Sequence, residues 1–366
     1  MNLDETRLRF GDIAAKFLDA LALNNINAKI LGAEQSGLFT NVIAQMAFRD
    51  ITQLQDNRIA ILKVLGCESL RVGKFENGIV EVEIALPFEC QRYLPYHDVM
   101  FDVVDQIKDM AVPIMFGKKS NGENVVQDLA QMPHLLIGGD VGTGKSIFLG
   151  TLISTIIQHR SPEQVQLVLM DLKRVEFWHY VKLPHLFAPI VNNQEAAVAV
   201  LKHIEAEMDR RLNVFDKKGC RTIADFNELN DGKKLSRLTV FANEISDFIV
   251  GTGGEFETTV SRIAAIGRPA GIHLVLTTER PCAHLPGSIK ANIPVRLAFK
   301  VRQRADSLKI LDEEGAYELV GRGDALLKEG TGLIARLQIP YIHDEAIERI
   351  VDSAIVRYPV RKKAVV

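Results

Sequence analysis

Apolar side chains at Ile13, Phe17, Leu18 and Leu21 recur at helical spacing within residues 3–23, with acidic residues near the start. That stripe predicts an opening amphipathic helix. Ala28 to Leu31 and Leu38 to Ala47 read as short strands around a turn at Glu34–Gly37, and Asp50 to Leu65 returns to helical periodicity. From Leu70 to Leu86 apolar and polar residues alternate about Asn77-Gly78, a strong hairpin signal. Residues 1–112 are therefore expected to form a small α+β unit. It contains no catalytic constellation, so its expected role is positioning.

A connector with strand and turn character, Ile114 to Pro133, leads into a different pattern. Up to about Arg336, apolar strand candidates alternate with helices. The strands are Leu135–Ile137, Gln166–Met170, Leu238–Ala242, His273–Thr277 and Val295–Phe299; the helices are Ile147–Gln158, Glu195–Phe215 and Glu255–Ile266. Such alternation predicts an α/β domain, assigned to residues 113–345, with a parallel central sheet covered on both faces and ligands at the carboxyl ends of its strands. Residues 346–366 are assigned to a C-terminal helix and a basic tail, Arg357–Val366, that is expected to fray.

One turn in this domain carries recognisable chemistry. Gly139, Gly144, Lys145 and Ser146 satisfy G-x-x-x-x-G-K-[ST], with Asp140, Val141, Gly142 and Thr143 filling the loop. The loop follows a buried strand and opens a mostly apolar helix, as a phosphate-binding loop requires. Backbone N–H groups in the turn and the first helical turn lack intrahelical partners, and with the helix dipole they attract phosphate oxygens. Lys145 is expected on the β/γ-phosphates of ATP and Ser146 on Mg²⁺. The pattern predicts a nucleotide triphosphatase.

Composition narrows the remaining choices. The chain has 366 residues, 47% of them apolar, 25% charged, and a net charge of −2. Nucleic acid, if bound, must meet a local patch and not a global positive field. The N-terminus has no signal-peptide character and no apolar run is long enough to span a bilayer, so direct membrane insertion is not expected and a cytoplasmic location is. Cys67, Cys90, Cys220 and Cys282 are scattered and read as reduced, mostly structural thiols. His134, His185 and His273 fall in apolar contexts and read as structural.

Segments beyond the loop then resemble, in order, the motor of the FtsK/SpoIIIE family of double-stranded DNA translocases. They are the lead-in Gln127–Leu136, Met170–Glu176, Leu183–Leu186, Glu207–Arg211, Ala270–Leu276, Lys290–Pro294 and Gly321–Asp324. Residues 1–112 are similar to the family's small α domain. Its membrane-spanning N-terminal region, a frequent inner-membrane tether, and its C-terminal winged-helix γ domain have no counterpart in the sequence. A trimmed motor or a short relative is expected. The resemblance implies a RecA-like P-loop NTPase that assembles as a homo-hexamer, threads double-stranded DNA without sequence preference and hydrolyses ATP at subunit interfaces.

The hydrolytic residues follow from the same reasoning. A P-loop enzyme needs acidic chemistry at the end of a second apolar strand, and Leu238–Ala242 runs into Asn243-Glu244. Glu244 is the candidate water-activating base. Asn243 sits beside it at the expected Mg²⁺ position, where the family has aspartate; an amide keeps an acceptor oxygen but discards the charge, so slowed hydrolysis is expected. Glu279, at a position where the family typically has glutamine, is the candidate γ-phosphate sensor; as a carboxylate it can only accept hydrogen bonds, and pairing with Arg280 or a neighbouring subunit is the other expectation. Arg268 is the candidate arginine finger for a neighbouring subunit. Leu308 stands where the family pattern has arginine. Asp171 and Lys173 are expected along the nucleotide cleft or as a strand-end ion pair. Asn243, Glu279 and Leu308 together favour a second reading, a nucleotide-binding scaffold like the degenerate FtsK-like modules of type VII secretion machines, with a protein partner; a plasmid or mobile-element transfer motor is a third.

Overall fold

The computed structural model describes residues 11–230 and 234–359. The small N-terminal unit runs α1 (Asp12–Leu23), β1 (Ala28–Ser36), β2 (Phe39–Met46), α2 (Phe48–Asp56), α3 (Arg58–Leu65), β3 (Leu70–Glu76) and β4 (Ile79–Ala85). Its antiparallel sheet has the order β1-β2-β4-β3. Phe17 and Leu21 of α1 pack with Ile61 and Leu65 of α3 against the inward side chains Val42, Val80 and Val82. Asn77 and Gly78 both take positive φ, 53° and 80°, the backbone of a two-residue hairpin turn.

Two local expectations change, and a third lies partly outside the described residues. The first helix begins, among the described residues, at Asp12, and the expected residues 3–10 lie outside them. The first turn falls at Gly37-Leu38 because β1 continues to Ser36. The helix expected over Asp50–Leu65 is two helices, parted at Asn57, whose Nδ2 donates back to Gln53 O at 2.9 Å. An asparagine that can satisfy local carbonyls competes with continued helix.

The larger unit contains α4 (Tyr96–Ile107), β5 (Pro113–Lys119), β6 (Asn124–Asp128), β7 (His134–Gly138), α5 (Lys145–His159), β8 (Val165–Met170), α6 (Gln194–Lys218), α7 (Ile223–Leu229) and β9 (Arg237–Ala242). It continues with α8 (Ile245–Ile249), α9 (Glu255–Ile266), β10 (Ile272–Thr278), α10 (Pro281–His284), α11 (Gly287–Ala291), β11 (Val295–Phe299), α12 (Arg304–Leu311), β12 (Asp324–Lys328), β13 (Ile334–Gln338) and α13 (Asp344–Arg357). One nine-stranded sheet, β6-β5-β13-β12-β11-β7-β10-β9-β8, organises it.

The strands β11, β7, β10, β9 and β8 are mutually parallel. Leu135 and Ile137 of β7 face a core shared with α4, α5 and α13, whereas Leu136 faces α6 and α9. The expected two-sided parallel sheet is therefore present, but four antiparallel strands, β12, β13, β5 and β6, extend it. The expected connector is the hairpin β5–β6. Strands β12 and β13 escaped the apolar pattern because they bury charge: Arg336 donates to both carboxylate oxygens of Asp324, at 2.9 and 2.7 Å. The same guanidinium reaches Ser69 Oγ at 3.3 Å and lies 4.4 Å from the centre of the Phe39 ring. Leu38 N–H donates to Gln338 Oε1, so β13 also ties the small unit to the large one. None of the described helices is long and apolar enough to cross a membrane.

Two histidines sit inside the parallel sheet. His134 Nδ1 accepts the Leu274 N–H at 3.0 Å, a bond open only to the neutral ring, and His273 is equally buried on the adjoining strand. Burial holds both imidazoles far below the ordinary value of 6.5, at about 3, with His273 adding to the depression at His134. In the unfolded chain these rings take up protons near pH 6.5, while the folded state refuses them until about pH 3. Stability should therefore fall as pH drops through 6.5 and keep falling towards 3. Denaturant titrations over that interval should show His134→Gln flattening the slope; a parallel decline in both proteins would exclude His134 as a source.

Candidate nucleotide site and catalytic strand

The glycine-rich loop lies at the carboxyl ends of the parallel strands. Gly139 N–H donates to Thr278 O at the end of β10, and Asp140 N–H to Lys300 O just past β11. Gly139 and Gly144 have φ of 153° and 124°, and a Cβ at Gly139 would come within 2.6 Å of Phe299 Cβ. Only glycine lets the loop pass this close to β11. α5 starts with no side-chain cap, which leaves its first N–H groups to an outside acceptor. Lys145 is buried and donates from Nζ to the carbonyls of Gly139 and Asp140, both at 2.7 Å. Thr143 Oγ1 donates to Asp140 O, and the Asp140 carboxylate pairs with Arg302, so the loop is braced from within and from the segment that follows β11.

β9 lies two strands from β7 with β10 between them, and its end delivers Asn243 and Glu244. Glu244 is 4% exposed and holds a left-handed backbone, φ 54°. Strain of this kind in a non-glycine residue is retained where surroundings fix it. They do so here: Glu244 N–H donates to Thr277 Oγ1 at 2.8 Å, its Oε2 accepts Glu279 N–H at 2.7 Å, and its Oε1 accepts from the hydroxyls of Ser246 and Thr278. Burial raises the Glu244 carboxyl above the usual glutamate range, against the lowering effect of those hydrogen bonds. Asn243 Oδ1 accepts from Thr277 Oγ1 at 2.9 Å, and its Nδ2 makes a longer contact to Asp171 Oδ1 at 3.4 Å.

Glu279 does not pair with Arg280 among the described contacts. Its carboxylate approaches Lys173 Nζ at 3.5 Å and Lys145 Nζ at 3.8 Å. Nor do Asp171 and Lys173 form a strand-end pair, the alternative to their lining the cleft. Asp171 is buried and accepts the N–H groups of Lys173, Val175 and Glu176, while the Lys173 ammonium goes to Glu279 and Asp247. Burial lowers the Lys145 pKa, with Glu279, Glu244, Asp140 and Glu176 pulling the other way.

A cavity of about 270 Å³ opens above the loop. Its polar lining includes Lys145, Ser146, Glu176, Asn243 and Glu279, and its apolar lining Tyr93, Ile147, Ile339 and Tyr341. The rings of Tyr93 and Tyr341 lie 5.0 Å apart. Sequence reasoning gave no role to Glu176 or to this aromatic wall. Glu176 closes the segment Met170–Glu176, and only the fold brings it a partner, Ser146 Oγ at 2.8 Å. The two tyrosines come from segments separated by most of the chain, and no local pattern joins them.

Arg268 does not reach this cavity in its own chain. It precedes β10 and contacts Gln131, which precedes β7, so it lies at the amino edge of the sheet, opposite the loop. Leu308 is partly exposed on α12, and the neighbouring Ser307 hydroxyl is used within the fold, bonding Glu313 O and Ala316 N–H. Cys67 and Cys220 are buried thiols, but Cys90 and Cys282 are exposed, so only half of the four fit the expected structural role.

With this geometry in place, similarity to known proteins becomes informative. The model of the FtsK/SpoIIIE family matches residues 103–283, from α4 through β10 to α10. The chain is 35% identical over 308 residues, 82% of its length, to the DNA translocase FtsK of Treponema pallidum (strain Nichols). It is 34% identical over 315 residues, 84% of its length, to the DNA translocase SftA of Bacillus subtilis (strain 168). The chain belongs to the FtsK/SpoIIIE family. It spans 38% of the Treponema relative and 33% of the Bacillus one, little more than a third of these proteins. Among solved structures, the pCW3 conjugation coupling protein TcpA, in its monomer form with ATPγS, aligns with a TM-score of 0.66 at 21% identity, covering 93% of this chain and 99% of that one. That likeness covers the fold of both units, the small antiparallel α+β unit and the RecA-like P-loop unit.

Proposed function

We propose that the chain is the motor part of an ATP-driven translocase of double-stranded DNA that works as a homo-hexameric ring. The observation that carries this reading is Glu244, a buried, strained carboxylate held at the end of β9, across β10 from the lysine and serine of the phosphate loop. The first N–H groups of α5 would hold the phosphates of ATP, and Lys145 would leave the Gly139 and Asp140 carbonyls for the β/γ-phosphates. The base at Glu244 deprotonates or orients the attacking water; its raised pKa suits a proton acceptor. Tyr93, Tyr341 and Ile339 offer the nucleobase an apolar wall. Mg²⁺ supplies charge neutralisation on the phosphates when bound. Ser146 and Asn243 line the place for it, and the neutral amide of Asn243 is the reason to expect slowed hydrolysis. Glu279 must swing away from Lys145 as phosphate arrives, since a carboxylate there repels it. Arg268, at the opposite sheet edge, fits action on the site of the next subunit.

Asn243 favours a second reading in which nucleotide binding organises an FtsK-like scaffold of a secretion or transfer machine with a protein partner. ATP turnover measured with and without duplex DNA separates the two. Under the motor reading duplex DNA stimulates turnover, sedimentation with ATP and duplex shows hexamers, and DNA affinity falls steeply between low and moderate salt as lysine and arginine release counterions. A strict monomer with DNA-independent turnover would leave the scaffold reading in its place.

A further inference from the structure

The acid that ordinarily serves the cation at the end of the second strand is missing, yet a carboxylate does meet the cation-side serine. Glu176 Oε1 accepts the Ser146 hydroxyl at 2.8 Å, and both residues line the loop cavity. The other acids nearby are committed elsewhere. Glu244 is closed in by Ser246, Thr278 and the Glu279 N–H, and Glu279 faces the two lysines. Asp171 spends its oxygens on three backbone N–H groups, and those bonds shape the turn that presents Glu176. Arg174, within that turn, has φ 58°, so the chain accepts an unfavourable conformation to bring Glu176 back over α5.

We infer that Glu176 supplies the carboxylate of the Mg²⁺ site, replacing the charge that Asn243 lacks. The inference rests on the nucleotide-site reading above and deepens it. A hard divalent ion carried on nucleotide phosphates takes few protein ligands, usually a hydroxyl and one or two carboxylates, directly or through water. The Ser146 hydroxyl and the Glu176 carboxylate already adjoin. These two residues would hold the cation, Ser146 through its hydroxyl oxygen once the proton is turned away from it, and Glu176 through its carboxylate. Asn243, fixed by Thr277 and Asp171, then contributes an oriented amide and no charge.

The test measures cation binding separately from turnover. Free Mn²⁺ is followed by its electron paramagnetic resonance signal in the presence of the protein and ADP, and a fluorescent ATP analogue is titrated in EDTA. Glu176→Gln keeps an oxygen for Ser146 and leaves the backbone bond to Asp171 untouched, so folding should be preserved. It should weaken Mn²⁺ binding to the ADP complex by about 10–100-fold and not weaken nucleotide affinity in EDTA, where losing a carboxylate beside the phosphates only removes repulsion. Asn243→Asp in the Glu176→Gln background should recover most of the lost Mn²⁺ affinity. Unchanged Mn²⁺ binding in Glu176→Gln, or an equal loss of nucleotide affinity in EDTA, overturns the assignment. If the parent protein itself binds no nucleotide in EDTA and no Mn²⁺ with ADP, the nucleotide-site reading falls and this inference with it.

Discussion

Glu244→Gln should lower ATP turnover by about 10²–10⁴-fold, the range that a positioned general base contributes, while ATP binding stays near the parent value. The substitution is well tolerated in principle. The glutamine oxygen can take over the Glu279 N–H bond, and the new amide N–H can donate to Ser246 or Thr278, whose hydroxyls rotate to accept it. What disappears is the ability to take a proton. The parent enzyme should also lose turnover on acidification earlier than an ordinary glutamate would, because burial raises the Glu244 pKa and the base is neutralised at a higher pH. Phosphate release measured against pH, with a fluorescent-nucleotide titration alongside, checks both statements. Turnover in Glu244→Gln equal to that of the parent would remove β9 from the chemistry.

The position of Glu244 at the end of a strand was legible before the fold because it depends on local signals. A mostly apolar run such as Leu238–Ala242 followed by Asn243-Glu244 states both the strand and its polar end, and the glycine loop states the other half of the site. The parallel half of the sheet was legible for the same reason, since strands buried on both faces read as apolar runs. The antiparallel half was not. Asp324 and Arg336 are each charged in isolation and become core residues only when β12 and β13 pair, so their meaning is created by tertiary contact. Glu176 and the Tyr93–Tyr341 pair belong to the same class. Their roles come from loops whose courses are set by backbone bonds to Asp171 and by the return of the chain past β13. Glu279 shows the limit from another side: its sequence neighbour Arg280 suggested an ion pair, but the carboxylate turns inward to Lys145 and Lys173, which are distant in sequence and adjacent in space.

Lys145→Ala should weaken ATP binding by at least about tenfold, the equivalent of ~1.4 kcal/mol and the low end for a charge-assisted hydrogen bond. Turnover should drop further, by about 10²–10³-fold, because the ammonium also meets charge that develops during phosphoryl transfer. The geometry supports a specific role over a merely structural one. The ammonium sits within 2.7 Å of two loop carbonyls and within 3.8 Å of Glu279, partners it can exchange for phosphate oxygens without crossing the site. Alanine also leaves those carbonyls without their donor, so loop stability alone could reduce affinity. A pH profile separates the two causes. Burial lowers the Lys145 pKa, so in the parent the charge is lost at a lower pH than on a surface lysine, and ATP affinity should fall as pH rises through that range. The alanine variant has no such proton to lose, and its weaker affinity should be flat over the same interval. An identical alkaline decline in parent and variant would mean that another group titrates there and that the Lys145 charge does not hold the nucleotide.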